Sequence, residues 1–331
     1  MNPFLRTYLQ KLNFYLGRNP RLEKRKDWRR FVPEPYQAVV VISSDFELAW
    51  ASRYTKSSPF PLHKAKDNAK VERENIPKIL AICEKFDIPI TWLTVGHLFL
   101  EGCSKVNDIS HPELPRLPHF ENEWWRFNGK DWFEHDPGTD YKQDPLWYCP
   151  DLIKLILQSK VKHEIGCHTF SHIDCRDEIC NPEHFRAEIE ACIEAAKRFG
   201  IEKMESFVHP GHTIGNLDTL ADMGFTNYRT NDVNILGYPY KHKNGLWEFS
   251  TTVELEYFPD WSAKAQVNRY ITIFKRALRH HSVAYFWFHP SFDPYFVERI
   301  MPDIFDWLNQ HRDEIWIVNK GEFVRWLNYK K

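Results

Sequence analysis

Two histidines with three residues between them, in Gly166-Cys-His168-Thr-Phe-Ser-His172, carry the first chemical signal in the chain. On a helical backbone, positions i and i+4 project to one side, so both imidazoles reach a single metal ion. The competing reading is a pair of helix-surface or core histidines. The pair follows a strand-like stretch, His163-Glu-Ile-Gly166. Sites in parallel α/β structures lie at the C-terminal ends of strands. A structural zinc site built on Cys167, Cys175 or Cys180 is a third reading, but those spacings match no common zinc module.

A second cluster is Ser43-Ser-Asp45-Phe-Glu47, at the end of an apolar run. Two acids one residue apart on a strand face the same way. One could bind a metal while the other takes a proton from water. Like charges this close cost free energy unless a cation offsets them. A solvated turn or helix caps would also account for them. The third cluster is Phe286-Trp-Phe-His289-Pro290, where an imidazole directly follows an apolar strand. That is a position for a general acid. Together the three clusters hold the residue types of metal-assisted hydrolysis, each at a strand end.

The elements that must position these residues alternate along the chain. Ala38–Ile42 reads as a buried strand. Residues 67–86 read as a helix whose regular part starts near Pro77, because proline disrupts a helix interior. Ile88–Val95 is a second strand. Residues 152–157 read as helical. Residues 183–199 form a helix capped by Asn181, with Pro182 in its first turn and Gly200 as its stop. Phe207-Val208 is a short strand, 216–223 a helix, and Gly224–Tyr228 another helix-to-strand junction. A helix at 263–279 leads into the strand Val283–Phe288. The remaining units are a helix at 297–311, a strand at Ile315–Val318 and a helix at 321–328. Such alternation favours a parallel sheet or barrel. The segment 101–150 breaks the rhythm and reads as a long loop rich in Pro, Asp, Gly and Trp.

With 331 residues, 43% hydrophobic and 27% charged, the chain has the composition of a globular α/β protein. A formal net charge of -1 gives no electrostatic case for nucleic acid as a partner. Its 13 Trp suit core packing, or stacking on the apolar face of a sugar. Residues 1–36 form a distinct basic, aromatic-rich segment, with residues 37–331 as the main domain. Leu5, Leu9, Leu12 and Leu16 recur at helical spacing among many Lys and Arg. They are expected to form a helix that docks on the main domain or touches anionic lipid. The opening residues lack a secretory pattern and no run nears the ~20 apolar residues of a membrane span. The expectation is a cytoplasmic protein, with peripheral membrane contact through residues 1–30. Seven Cys are an odd and scattered set that suits reduced thiols; Cys175 and Cys180 would be the pair if the chain were exported.

These residues resemble the NodB-homology polysaccharide deacetylase family, over roughly residues 37–328. Glu164-Ile-Gly-Cys-His168-Thr-Phe-Ser-His172 is close to the family's His-Ser/Thr-x-x-His signature. Asn75-Ile-Pro-Lys-Ile-Leu with Ile88-Pro-Ile-Thr-Trp-Leu resembles its helix and second strand. Phe207-Val-His-Pro210-Gly211 stands at its third motif and Phe286-Trp-Phe-His289 at its last catalytic one. Trp316-Ile-Val-Asn-Lys-Gly-Glu322-Phe resembles its closing strand and helix. The resemblance implies an α/β fold, a distorted (β/α)7 barrel, with one divalent metal at its mouth. It implies His168 and His172 as metal ligands and His289 as general acid. Many members carry adjacent Asp residues in the first motif, but Phe46 stands in the second position here. On an acid-x-acid pattern Asp45 is the base and Glu47 the third ligand; the alternative is Asp45 as ligand and Glu47 as base or bystander. The family's arginine after the motif-three Phe is replaced by Val208. His209, His212 and the more distant Arg229 are the candidates to substitute.

The implied activity is metal-dependent hydrolysis of an N-acyl group, chiefly N-acetyl, from an amino sugar or glycan. A two-histidine, one-carboxylate set leaves open positions on the metal. It suits Zn²⁺ and also tolerates Co²⁺, Ni²⁺, Fe²⁺ or Mn²⁺. Asp45 would take the proton of the attacking water, and His289 would protonate the departing amine. The expected substrate is a nucleotide-linked or lipid-linked sugar of surface-glycan synthesis. Trp124, Trp125, Trp132 and Trp147 either form sugar subsites or pin the long loop. Two other classes compete: a hydrolase of another C–N bond, such as a deformylase, and a catalytically impaired glycan-binding protein. Val208 supports the second, while the retained His289 opposes it.

Overall fold

The computed structural model describes residues 19–230 and 234–329, so the leucine-bearing segment of the N-terminus lies outside the described residues. Strand β1 is Ala38–Phe46, followed by helix α1, Pro61–Phe86, and β2, Thr91–Thr94. After the long segment come α2 (Pro150–Leu157), β3 (Glu164–Cys167), α3 (Pro182–Lys197) and β4 (Ser206–Val208). Then follow α4 (Leu217–Asp222), β5 (Asn227–Arg229), β6 (Trp247–Phe249) and β7 (Val253–Glu254). The chain continues with α5 (Ala263–His280), β8 (Val283–Phe288), α6 (Met301–Gln310), β9 (Ile315–Val318) and α7 (Lys320–Tyr329).

The strands lie in the order β6-β5-β4-β3-β2-β1-β8-β7, each parallel to its neighbour. Strand β1 carries the distortion of this curled barrel. Its first half pairs with β9, from Ala38↔Ile315 to Val41↔Val318, and its second half pairs with β2, from Ser43↔Thr91 to Phe46↔Thr94. All nine residues of β1 are buried, as a strand covered on both faces requires. Successive side chains alternate between two cores. Ala38, Val40, Ile42 and Phe46 join the large core beneath the helices, while Val39 and Val41 join a smaller one with Phe249, Tyr285, Phe323 and Val324. Phe31 and Val32 also enter the smaller core, and Arg21–Leu22 pairs with Ile235–Leu236, so residues 19–36 pack on the barrel.

Two expectations are corrected. Helix α1 starts at Pro61, and Pro77 lies within it. A proline removes one backbone donor and crowds one turn, but tertiary burial outweighs that here. The turns before it bury Ala65, Ala69, Glu72, Asn75 and Ile76. Asn75 also donates to the carbonyls of Pro290 (2.8 Å) and Phe292 (2.9 Å), tying α1 to the loop after β8. The second correction concerns His168–His172, which is not helical: Thr169 and His172 have φ of 59° and 60°. The carboxylate of Glu188 on α3 holds this loop, accepting from the backbone N–H of Phe170 and Ser171 and from the Ser171 hydroxyl. Those acceptors replace the turn carbonyls a helix would have supplied. Helix α3 itself starts where expected, with the Asn181 side chain accepting from the N–H of His184. All seven cysteines are free thiols.

Candidate active site

Asp45 is the penultimate residue of β1, Glu47 follows that strand, His168 follows β3 and His289 follows β8. Parallel strands put all four at one end of the barrel. The end opens into a cleft of about 370 Å³ lined by Asp45, Glu47, Trp125, His172, Arg229 and His289.

Glu47 Oε1 lies 2.8 Å from His168 Nε2 and 3.0 Å from His172 Nε2, and all three side chains are buried. His168 Nδ1 lies 2.7 Å from the Val208 carbonyl, which can only accept. His168 therefore donates through Nδ1, and its neutral form presents a lone pair at Nε2. Burial pushes the His172 pKa down to about 4, although Glu47 pulls it the other way, so this ring is neutral at neutral pH. Burial alone would raise Glu47, but His172 and His289 outweigh it and hold its carboxyl well below the usual range. Two imidazole nitrogens and an ionised carboxylate oxygen thus converge on one point. A divalent cation satisfies all three at once, so these residues fit the metal that the sequence implies. The carboxylate of Glu72 on α1 accepts from the backbone N–H of Glu47 and Leu48, each at 3.1 Å, and fixes the turn that aims Glu47.

Asp45 faces a different partner. Arg229 grips it with two parallel hydrogen bonds, Nη1 to Oδ1 at 2.8 Å and Nη2 to Oδ2 at 2.5 Å. Both residues are buried, and the guanidinium also lies 4.2 Å from the Trp287 ring. Burial would raise the Asp45 carboxyl, but Arg229 and His168 outweigh it and hold it below its ordinary value. His209 instead lies 2.9 Å from the carbonyl of Gly215, and His212 packs edge-on against Trp287. Arg229 is therefore the residue that takes up the arginine's contact. Val208 supplies only its carbonyl, to His168.

His289 Nε2 lies 3.7 Å from Glu47 Oε2 and 4.0 Å from Asp45 Oδ2, and Nδ1 lies 3.3 Å from Glu254 Oε1. Burial disfavours its charge, yet Glu47, Glu254 and Asp45 together raise its pKa to about 10.

The four tryptophans divide. Trp132 donates to the carbonyl and hydroxyl of Ser171, and Trp147 packs edge-on against Trp50; both are buried and hold the long segment to the barrel. Trp124 and Trp125 line the cleft, and Trp124 is 49% exposed. Trp125 packs edge-on against His172 at 5.1 Å. Gly211 permits this, since a Cβ there would come within 2.7 Å of the Trp125 ring. Arg53, Glu72, Glu188 and Glu254 support the site without any motif announcing them. Arg53, fully buried, donates to the carbonyls of Trp50 and Ser171 and stacks against Trp132 at 4.3 Å.

The polysaccharide deacetylase family model matches residues 66–230. No curated protein sequence matches the chain. Among solved structures, a Mycobacterium smegmatis protein assigned as a polysaccharide deacetylase aligns with a TM-score of 0.60 at 13% identity, covering 90% of this chain and 93% of that one. One from Pseudomonas aeruginosa PAO1 aligns with a TM-score of 0.60 at 9% identity, covering 91% and 94%. A PuuE allantoinase aligns with a TM-score of 0.62 at 10% identity, covering 91% and 93%. The chain belongs to the NodB-homology polysaccharide deacetylase family, a family of hydrolases acting on C–N bonds.

Proposed function

We propose that the cleft removes an N-acetyl group from an amino sugar, with Glu47, His168 and His172 holding a zinc ion, Asp45 as base and His289 as acid. The observation that carries this reading is the convergence of both histidine Nε2 atoms on Glu47 Oε1. When bound, the ion supplies a Lewis acid and lowers the pKa of a water towards ~7.

The chain's own residues supply the proton transfers. Asp45 is ionised and fixed by Arg229, so it receives a proton from the attacking water without reorienting. His289 is protonated, held by Glu254, and gives its proton to the departing nitrogen. Trp124 and Trp125 offer the apolar surface against which a pyranose stacks. The basic composition of residues 1–30 favours a lipid-linked glycan intermediate on an anionic surface as substrate.

The test is acid release by the zinc-loaded chain from a panel of N-acetylated sugars, glycans, N-formyl compounds and ring amides. Release of acetate with a matching free amine from sugars is expected. Turnover confined to the other amides would overturn the substrate class. His168→Ala and His172→Ala should each lose the bound ion together with activity, and full occupancy of the site in either variant would overturn the ligand assignment.

A further inference from the structure

A second group of metal-type side chains lies in the long segment after β2. His97 follows the strand, and Cys103, His111 and Asp136 come from the segment 101–150. Their ligand atoms all lie within 4.8 Å of one another. His97 Nε2, His111 Nε2 and Asp136 Oδ2 form a nearly equilateral triangle, with sides of 3.1, 3.1 and 3.2 Å. Cys103 Sγ lies 3.4 Å from Asp136 Oδ2 and 3.9 Å from His97 Nε2. A tetrahedral zinc ion bonded at ~2.0–2.1 Å to N or O and ~2.3 Å to S would set N···N edges of about 3.3 Å and S···N edges of about 3.5 Å. The observed spacings are close to that figure.

His97 Nδ1 lies 3.2 Å from the Trp147 carbonyl and must donate there, which leaves Nε2 facing Asp136 Oδ2 and His111 Nε2. One proton serves one edge of such a triangle well, whereas a cation at the centre serves every vertex. The surroundings also orient the donors as metal sites require. Asp136 Oδ1 accepts from the Tyr148 hydroxyl and from the Gly138 N–H, each at 3.0 Å, which leaves Oδ2 for the centre. The Thr139 N–H in turn donates to Tyr148 at 3.2 Å. The side chains of His97 and Asp136 are fully buried, and that of His111 is 10% exposed.

We propose that His97, Cys103, His111 and Asp136 bind a second zinc ion that fastens the 101–150 segment to the barrel. Four protein ligands close the coordination sphere, which marks a structural site. The thiol gives its proton to solvent on binding, and the thiolate selects zinc over harder divalent ions. The position matters for the cleft. His97 packs on Trp50 at 4.4 Å, and His111 packs edge-on against Phe170 at 5.1 Å. Phe170 lies between the two histidines of the active site, so this ion would back the loop that carries them.

The proposal stands apart from the catalytic reading, because only this site contains sulfur. The full chain should bind two zinc equivalents, with one retained in Cys103→Ser and one in His168→Ala. Loaded with Co²⁺ instead, the wild type and His168→Ala should show a near-ultraviolet sulfur-to-cobalt charge-transfer band, and Cys103→Ser should not. A cobalt-loaded wild type without that band overturns the proposal whatever the variants do. A band that persists in Cys103→Ser overturns it too.

Discussion

Arg229 and Val208 are register partners on adjacent parallel strands, so the arginine that holds Asp45 stands one strand over from the family's motif-three position, at the same height in the barrel. From there it reaches Asp45 with both Nη atoms. The contact survives although the motif residue does not. This weakens the argument that Val208 marks a site stripped of catalysis.

Removing this arginine should therefore damage both folding and turnover. Arg229→Gln leaves the Asp45 carboxylate buried without its cation, which costs about 3–5 kcal/mol. It should also reduce kcat by about 10² or more through loss of alignment. Arg229→Lys keeps the charge but not the fork, so its losses should be smaller. The pair also has a pH signature. Arg229 helps depress the Asp45 pKa, so its stabilisation is present above the unfolded value and is lost as pH falls through the folded one. Thermal melts from neutral to acid pH, together with kcat, check this. An Arg229→Gln protein with wild-type kcat would show that Asp45 needs no partner.

Glu254 makes a prediction about His289. The acid must carry its proton, so activity falls as pH rises through its pKa. Glu47 and Glu254 both raise that pKa, and Glu254→Gln removes one of them. The alkaline limb of the kcat/KM profile should move to lower pH, by about one unit or ~1.4 kcal/mol of lost charge stabilisation. Metal content should not change. An unmoved limb would mean that the limb reports a group other than His289.

How much of this was legible beforehand depended on whether a contact was local. The spacing of His168 and His172 and the acids beside the β1 run are local patterns, and Glu47 does meet both histidines. The helical reason for that meeting was wrong, because Glu188, distant in sequence, shapes the loop. Arg229 was one of three candidates, since only strand register separates it from His209 and His212. Strands β6 and β7 were not anticipated; at three and two residues they are too short to show a period. The cluster of His97, Cys103, His111 and Asp136 follows no common zinc spacing, because a long, irregular segment brings its members together.

Acid should destabilise the fold through histidines far from the cleft. His163 accepts a hydrogen bond from the Ile90 N–H at Nδ1, and its buried Nε2 has no partner. Burial lowers its pKa from 6.5 to about 4. Between those values the unfolded chain binds more protons, so stability falls as pH drops from about 6.5 to about 4, by up to about 3 kcal/mol. His163→Asn keeps an acceptor towards Ile90 but cannot titrate. Its stability should depend less steeply on pH across that window in urea melts. An equal slope in both proteins would exclude His163 as a source of the acid sensitivity.

The tryptophans allow substrate binding to be separated from scaffold. Trp124 is half exposed on the cleft and makes its backbone turn through Asn122, whose side chain accepts the Trp124 N–H at 2.8 Å. That turn does not need the indole. Trp124→Ala should therefore leave the melting temperature nearly unchanged. Losing a stacking face worth about 1.4 kcal/mol should raise KM about tenfold on a glycan substrate with kcat retained. Trp132 is the contrast. Its indole is buried against Arg53, Tyr54 and Phe127 and donates to Ser171 in the loop between His168 and His172. Trp132→Ala should cost about 3–5 kcal/mol of stability and reduce metal retention as well. If Trp124→Ala instead lowered stability while KM stayed fixed, the cleft's aromatic wall would be scaffold, and the sugar would have to bind elsewhere.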